Sequence, residues 1–441
     1  MRIAVALPSL EAGAPQRRSI DAMLEQLVGS GHEVEGFAEH DRSDESGVHP
    51  VFHYLRMPER HADRPFDTAL YPLGRDATPY QSVFFLMNLY PGAVWFLDPI
   101  VHHLAVGGIA LMGDWASYRE LLDRAYGPTG AAVAQTVASN WGTGALFRRY
   151  DLVAAAAASQ AAVLAAWPSL ATRIASRLEG ITVKAVPLGV VDALADPETG
   201  SATASVDGGV GDIAIMTVNE SYATTAVRVA AAALEAAPDA RVRLCLSDPI
   251  YKSQGAEVAR HLGIDERIEW ELTTSPGRLA EVAAASGVLL WLAEELQGGH
   301  RMLLLKGLAA GKLTFVPRCA LYDDLPAGAV AKIDLGRMAG PTFGAMLGAL
   351  SEDAGLRDGL AANGRAFAAT CFDIGEASSM LATELEKLAA DGPLQKVPVS
   401  GPTWQRVARR MNDAAMPGGA STDVESLVAG VLDAHTEPFR K

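Results

Sequence analysis

Alternation is the feature that most constrains this chain. Short apolar runs of strand length, each followed by a stretch with helical spacing, recur on both sides of a small polar segment, residues 196–212, that has no apolar period. Such runs, separated by helix-length connections, are what a parallel sheet requires, because each crossover must return the chain to the same edge and cover a face on the way. The opening shows the pattern: a strand over 2–7, a loop over 8–14, a helix over 19–29, and a second strand over 33–37. Ile20, Met23, Leu24 and Leu27 recur at three- and four-residue spacing in that helix, and Gly29-Ser30-Gly31 stops it. Further strands are expected at 68–71, 93–97, 152–156 and 183–186, with helices at 81–89 and 115–126. After the polar segment, strands at 213–218, 241–246, 268–271, 288–292 and 313–316 alternate with helices at 223–236, 255–262, 277–285 and 301–310. Helical periodicity then runs through 342–368, 375–388 and 403–411. The expected fold class is α/β, with two Rossmann-like, doubly wound domains at 1–195 and 213–370, a linker at 196–212, and helices with a tail over 371–441.

Several function classes fall away at this point. Lys and Arg number 37 against 52 Asp and Glu, a formal charge of −15 that repels phosphate backbones, so nucleic acid is not an expected partner. No apolar run reaches the ~20 residues of a membrane span. Cys245, Cys319 and Cys371 are far apart and form no Cys-x-x-Cys or Cys/His cluster, so no metal and no disulfide are expected and a reducing cytoplasm fits best. A nicotinamide enzyme would need Gly-x-Gly-x-x-Gly after a strand; Gly142-Thr143-Gly144 has Phe147 at the third glycine's place, and Gly209-Val210-Gly211 precedes its strand. No Gly-x-Ser-x-Gly elbow marks a serine hydrolase.

One segment carries the parts of an anion site. Gln297-Gly298-Gly299-His300-Arg301 lies between a strand and a helix, where open α/β sheets bind ligands, and offers backbone N–H groups, close approach and a cation. Asp98, His102 and His103 follow the strand at 93–97, where a histidine can donate a hydrogen bond or move a proton, with the carboxylate to orient it. Gly13 in the first loop, Arg17 and Arg18 at the next helix start, and Gly74-Arg75-Asp76 after a strand are further candidates for ligand contact. Trp141, Trp167 and Trp270 are aromatic surfaces for a ligand, or core.

The wording of the sequence adds a resemblance. Leu7-Pro8-Ser9-Leu10-Glu11-Ala12-Gly13, the helix end Gly29-Ser30-Gly31-His32-Glu33-Val34, the strand and loop from Pro91-Gly92 to His102-His103, and Val183-Lys184-Ala185-Val186-Pro187-Leu188-Gly189-Val190 stand in order. Gly307-Leu308-Ala309-Ala310-Gly311-Lys312 and Ala320-Leu321-Tyr322-Asp323-Asp324-Leu325-Pro326 follow. Together they resemble the family-four retaining glycosyltransferases of GT-B fold. The resemblance implies final helices that return to the first domain, a nucleotide-diphosphate sugar as donor substrate, and no cofactor or metal. It implies transfer of the sugar to a protein, glycan or small-molecule acceptor.

The chain departs from that family's pattern in three places. Gly298 and Lys306 stand where the Glu-x7-Glu glutamates belong; Lys306 can face phosphate, and Glu294 or Glu295 is a stand-in through a longer loop. The usual basic pair after the second domain's first strand is replaced by Val218-Asn219-Glu220-Ser221, leaving Asn219 as a polar contact and Lys252 as a compensating cation. Leu97 occupies the family histidine's position, so His102 or His103 takes that role. A GT-B-like protein without transfer activity, serving as a binding or assembly partner, is the alternative these departures raise.

Overall fold

The computed structural model describes residues 1–10, 14–39, 48–110, 114–178, 180–189, 210–217, 222–247, 249–273, 275–293, 298–371 and 373–395. Gly13, Asn219, Glu294, Glu295, Gln297, most of the 196–212 linker and the 403–411 helix lie outside them.

Two all-parallel sheets carry the fold. The first is built from β1 (Arg2–Ala6), β2 (Glu33–Ala38), β3 (Val51–His53), β4 (Thr68–Leu73), β5 (Ala93–Phe96), β6 (Ala162–Ala165) and β7 (Val183–Ala185). Its order is β3-β2-β1-β4-β5-β6-β7. The second uses β8 (Ile213–Thr217), β9 (Val242–Leu246), β10 (Ile268–Leu272), β11 (Val288–Leu292), β12 (Leu313–Pro317) and β13 (Ala331–Ile333), in the order β10-β9-β8-β11-β12-β13. In both, the chain starts in the middle, winds one way for two strands and then the other way. Each sheet therefore has a switch point, between β1 and β4 and between β8 and β11, where the following loops diverge and leave a crevice. Central strands are buried throughout because helices cover both faces: β1, β4, β5, β8, β11 and β12 have no residue outside the buried class.

The helix Pro15–Gly29 shows how the local sequence sets an element. Proline stands in its first turn, where a missing N–H costs nothing. Ile20, Met23, Leu24 and Leu27 are its buried stripe. At its end Gly31 adopts φ +87°, and the N–H groups of Gly31 and His32 donate to the carbonyls of Val28 and Leu27 at 2.9 and 3.1 Å.

The structure corrects several boundaries. Residues 152–156 form no strand; Val153–Ala157 is a short helix entered from Leu152 at φ +60°, and the strand beside β5 is β6 instead. An alanine run carries no period that separates helix from strand, so both were open to the sequence. The edge strands β3 and β13, three residues each, were too short to show alternation. The helical stretch at 342–368 is two helices, Ala339–Glu352 and Ala354–Cys371.

The last helix among the described residues, Ile374–Ala390, crosses back and lies on Pro15–Gly29. Ala377, Leu381 and Leu385 join the first sheet's core, His32 Nε2 stands 3.6 Å from Glu386, and Leu394 N donates to Phe66 O at 3.1 Å. Because Leu381 is wholly buried there, Leu381→Ala is expected to lower unfolding free energy by about 2–5 kcal/mol. Urea denaturation checks this; an unchanged midpoint would show that the returning helix is not part of the cooperative core.

Candidate functional site

Several contacts between the two halves involve segments that follow strand ends. Ser169, after β6, donates its hydroxyl to Leu321 O, after β12, at 3.0 Å. Trp167, also after β6, has its ring centroid 5.7 Å from the guanidinium carbon of Arg301. Arg75, directly after β4, is close enough for its charge to act on His300, two residues into the helix that follows β11. The carboxyl ends of the two sheets thus face each other across a cleft, with both switch points opening into it.

On the first sheet's side the turn after β4 is shaped by Gly74: a Cβ there would stand 2.4 Å from the Tyr80 ring. That close approach fixes where Arg75 leaves the sheet. Its backbone N–H donates to Asp98 Oδ2 at 3.3 Å, and Asp98 is 3% exposed, so the carboxylate after β5 anchors the loop after β4. Arg75 Nε lies 3.8 Å from Asp76 Oδ1, beyond hydrogen-bond reach, and is a buried donor with no hydrogen-bond partner among the described residues.

The two histidines after β5 part company. His102 is fully buried; its Nδ1 meets the Tyr150 carbonyl and its Nε2 the Tyr118 hydroxyl, at 2.5 Å for the latter. Both ring nitrogens are used by the protein, and burial pushes its pKa down to about 4. The expectation for this pair therefore narrows to His103, which is only partly buried and stands edge-on to Phe147 at 4.6 Å. Burial, and after it the charge of Arg75, lower His103 to about 3.

On the second sheet's side the helix begins earlier than its sequence period shows. It spans Gly298–Ala309, so Gly298, Gly299, His300 and Arg301 form its first turn rather than a loop before it. The first N–H groups of a twelve-residue helix, with the positive end of its dipole, are an anion-binding arrangement. His300 Nδ1 is buried without a hydrogen-bond partner among the described residues, and burial followed by the Arg75 charge lowers the ring to about 4.

Two basic residues are placed differently from expectation. Arg301 is 2% exposed and joined to Asp324 Oδ2 at 2.5 Å, with Nη1 3.5 Å from Leu321 O, so its charge is committed to an ion pair within the second half. Lys306 is 5% exposed on the same helix, a buried amine rather than an open cation. Lys252 lies in the first turn of Pro249–His261, which starts six residues before the expected helix; it is partly exposed after β9. Arg17 is tied to its own element, 3.6 Å from Asp21 and 3.3 Å from Leu10 O, and Arg18 is exposed. Trp167 and Arg301 border a mainly apolar cavity of about 200 Å³ that also touches Leu188, Met302 and Glu376 of the returning helix. Trp141 is exposed and Trp270 packs on Gly255. Among the described residues no group of three or more His, Cys, Asp and Glu is placed to hold a metal ion. No helix among them is long and apolar enough to cross a membrane.

Solved structures share this arrangement over nearly the whole chain. A sucrose-phosphate synthase from Thermosynechococcus elongatus superposes with a TM-score of 0.56 at 12% identity, covering 89% of this chain and 100% of that one. WaaG, a glycosyltransferase involved in lipopolysaccharide biosynthesis, gives 0.52 at 14% identity over 87% and 99%. The fold is GT-B. HepE from Anabaena, solved in complex with UDP-glucose, matches the GT-B frame equally, with a TM-score of 0.52 at 11% identity over 88% and 100%. No family model matches the chain, and no curated protein matches it by sequence. In GT-B terms, Arg75, Asp98 and His103 stand on the N-terminal side of the cleft and His300 on the C-terminal side.

Proposed function

We propose that this protein is a glycosyltransferase that moves a sugar from a nucleotide-diphosphate donor to a protein, glycan or small-molecule acceptor, with retention and without a metal. The observation that carries the reading is Arg75, one guanidinium from the first half whose charge acts on His103 on its own side and His300 across the cleft. Two buried polar atoms without hydrogen-bond partners among the described residues, Arg75 Nε and His300 Nδ1, sit at this junction. Buried polar groups are mostly hydrogen-bonded, so two such atoms at one junction call for a partner such as a ligand or water. The neighbours' printed descriptions, WaaG as a glycosyltransferase and HepE with UDP-glucose, support the same reading.

In this proposal the donor diphosphate rests on the first N–H groups of Gly298–Ala309, with Arg75 adding a cation as charge builds on the leaving oxygen. The bond from anomeric carbon to diphosphate oxygen breaks, and its electron pair leaves with the nucleotide diphosphate. The acceptor hydroxyl oxygen bonds to the carbon on the same face and its proton passes to the departing phosphate. A neutral His103 orients a sugar hydroxyl, and Asp98 positions Arg75 by holding its backbone N–H. The glutamate-free positions Gly298 and Lys306 leave the donor's ribose hydroxyls to other groups.

Thermal-shift titration with UDP-, GDP-, ADP- and TDP-sugars tests this. One donor is expected to stabilise the protein by about 2.7 kcal/mol when present at 100 times its dissociation constant. Silence toward all four classes would remove the transferase reading and favour the binding or assembly role.

A further inference from the structure

Two neighbouring rings in the second half leave polar atoms unbonded. Trp291, on β11, has no exposed surface, and its indole Nε1 has no hydrogen-bond partner among the described residues. The ring of His300 stands beside it, 6.2 Å between centroids and tilted by 58°, in the first turn of the helix that follows the strand. His300 Nδ1 is likewise buried with no hydrogen-bond partner among the described residues. The ring's Nε2 is not one of these buried atoms, and no described residue bonds to it, so Nε2 is the nitrogen that solvent and ligand reach. The fold thus keeps one imidazole nitrogen inside the protein and leaves the other open.

The two nitrogens differ in what they can hold. Burial, and after it the charge of Arg75, keep the ring neutral near physiological pH, so a single proton is divided between them. An indole N–H only donates, whereas a neutral imidazole donates from one nitrogen and accepts at the other. With the proton on Nδ1, a buried N–H would lack an acceptor among the described residues while a second such N–H, that of Trp291, stood beside it. With the proton on Nε2, Nδ1 offers its lone pair to the indole side, and one water accepting from Trp291 and donating to His300 satisfies both atoms. We infer that Trp291 is a positioning residue that fixes His300 in the tautomer protonated on Nε2, from which it donates a hydrogen bond to an oxyanion of the bound ligand. That the oxyanion is the donor diphosphate rests on the transferase reading, because His300 belongs to the turn whose N–H groups would receive it. The tautomer itself does not rest on that reading.

Long-range proton–nitrogen correlation spectra of the full chain carrying isotope-labelled histidine test this near neutral pH, with His300→Gln identifying its signals among those of the ten histidines. The wild type is expected to show one tautomer, protonated on Nε2, and UDP is expected to move the Nε2 signal more than the Nδ1 signal. Trp291→Phe keeps a ring in place and removes the N–H; the ratio of the Nε2 to the Nδ1 tautomer is expected to fall by about threefold or more, as the loss of a neutral hydrogen bond implies. Trp291→benzothienylalanine, which puts sulfur in place of the N–H on a ring of the same shape, is expected to give the same fall and serves if the phenylalanine variant folds poorly. In titrations, His300→Asn, whose amide reaches only as far as Nδ1, is expected to weaken UDP binding by about tenfold or more. His300→Gln, whose amide reaches the place of Nε2, is expected to weaken it less. A wild-type proton on Nδ1, comparable amounts of both tautomers, or a ratio that neither substitution of Trp291 changes overturns the inference. UDP binding that moves neither nitrogen of His300 overturns the oxyanion assignment while the transferase reading stands. An Nε2 proton in a chain that binds no nucleotide and no nucleotide sugar keeps the tautomer and removes the transferase.

Discussion

Arg75→Ala is expected to lower kcat/KM for sugar transfer by about 100-fold or more, the usual cost of deleting one preorganised group aimed at developing charge. The reason is positional. Arg75 leaves β4 through a turn that only glycine at position 74 permits, is anchored by Asp98 through its backbone, and acts on histidines from both halves. A guanidinium that served only to pair with Asp76, an exposed neighbour at 3.8 Å, would change transfer by less than threefold on removal, because exposed ion pairs contribute little. The substitution has a second signature. Burial is the larger cause of the low values at His103 and His300, and Arg75 adds to it, so in the variant both rise while remaining below 6.5. The sign for stability follows. Rings whose native pKa lies below the unfolded value make the unfolded chain the better proton acceptor, so stability falls as pH drops from about 6.5 toward 4. Raising the native values narrows that difference, and Arg75→Ala is expected to lose less stability over this interval than the wild type. Histidine C–H chemical shifts followed against pH, together with melting temperatures, read both effects; unchanged histidine titrations would detach Arg75 from the cleft.

How much of this was legible beforehand depended on what each feature needs. The central strands were readable because five consecutive buried positions leave an unmistakable apolar run, as in Val288–Leu292, which the sequence placed to the residue. The start of Gly298–Ala309 was not, since its first turn is Gly-Gly-His-Arg, with the lowest local helix propensity in the element; packing of the later Leu303–Leu308 face holds it helical. Gly74-Arg75-Asp76 was visible as a strand-end candidate, whereas its reach to His300 joins residues more than two hundred positions apart. His102 and His103 are indistinguishable as letters. Only the fold puts Tyr118 and the Tyr150 carbonyl on one of them.

The same limit applies to Arg301, and it sets the largest expected effect on stability. Asp324→Ala is expected to cost about 3–5 kcal/mol in unfolding free energy, because it strands a guanidinium that is 2% exposed. The pair's position makes the loss felt by both halves. Arg301 also reaches Leu321 O and lies over Trp167, and its neighbour Met302 packs into the first sheet's core. If the pair is a strut, the double variant Arg301→Met/Asp324→Leu should recover most of the stability, since an apolar pair of similar size has no buried charge to satisfy. UDP affinity in that double variant separates the two roles open to Arg301. Wild-type affinity would leave the diphosphate to the helix N–H groups and Arg75. A loss of about tenfold or more would return Arg301 to the phosphate, because a charge-assisted hydrogen bond contributes roughly 1.5–3 kcal/mol. Guanidinium denaturation of the three proteins measures the first expectation; a cost below about 1 kcal/mol for Asp324→Ala would mean that water reaches the pair and screens it.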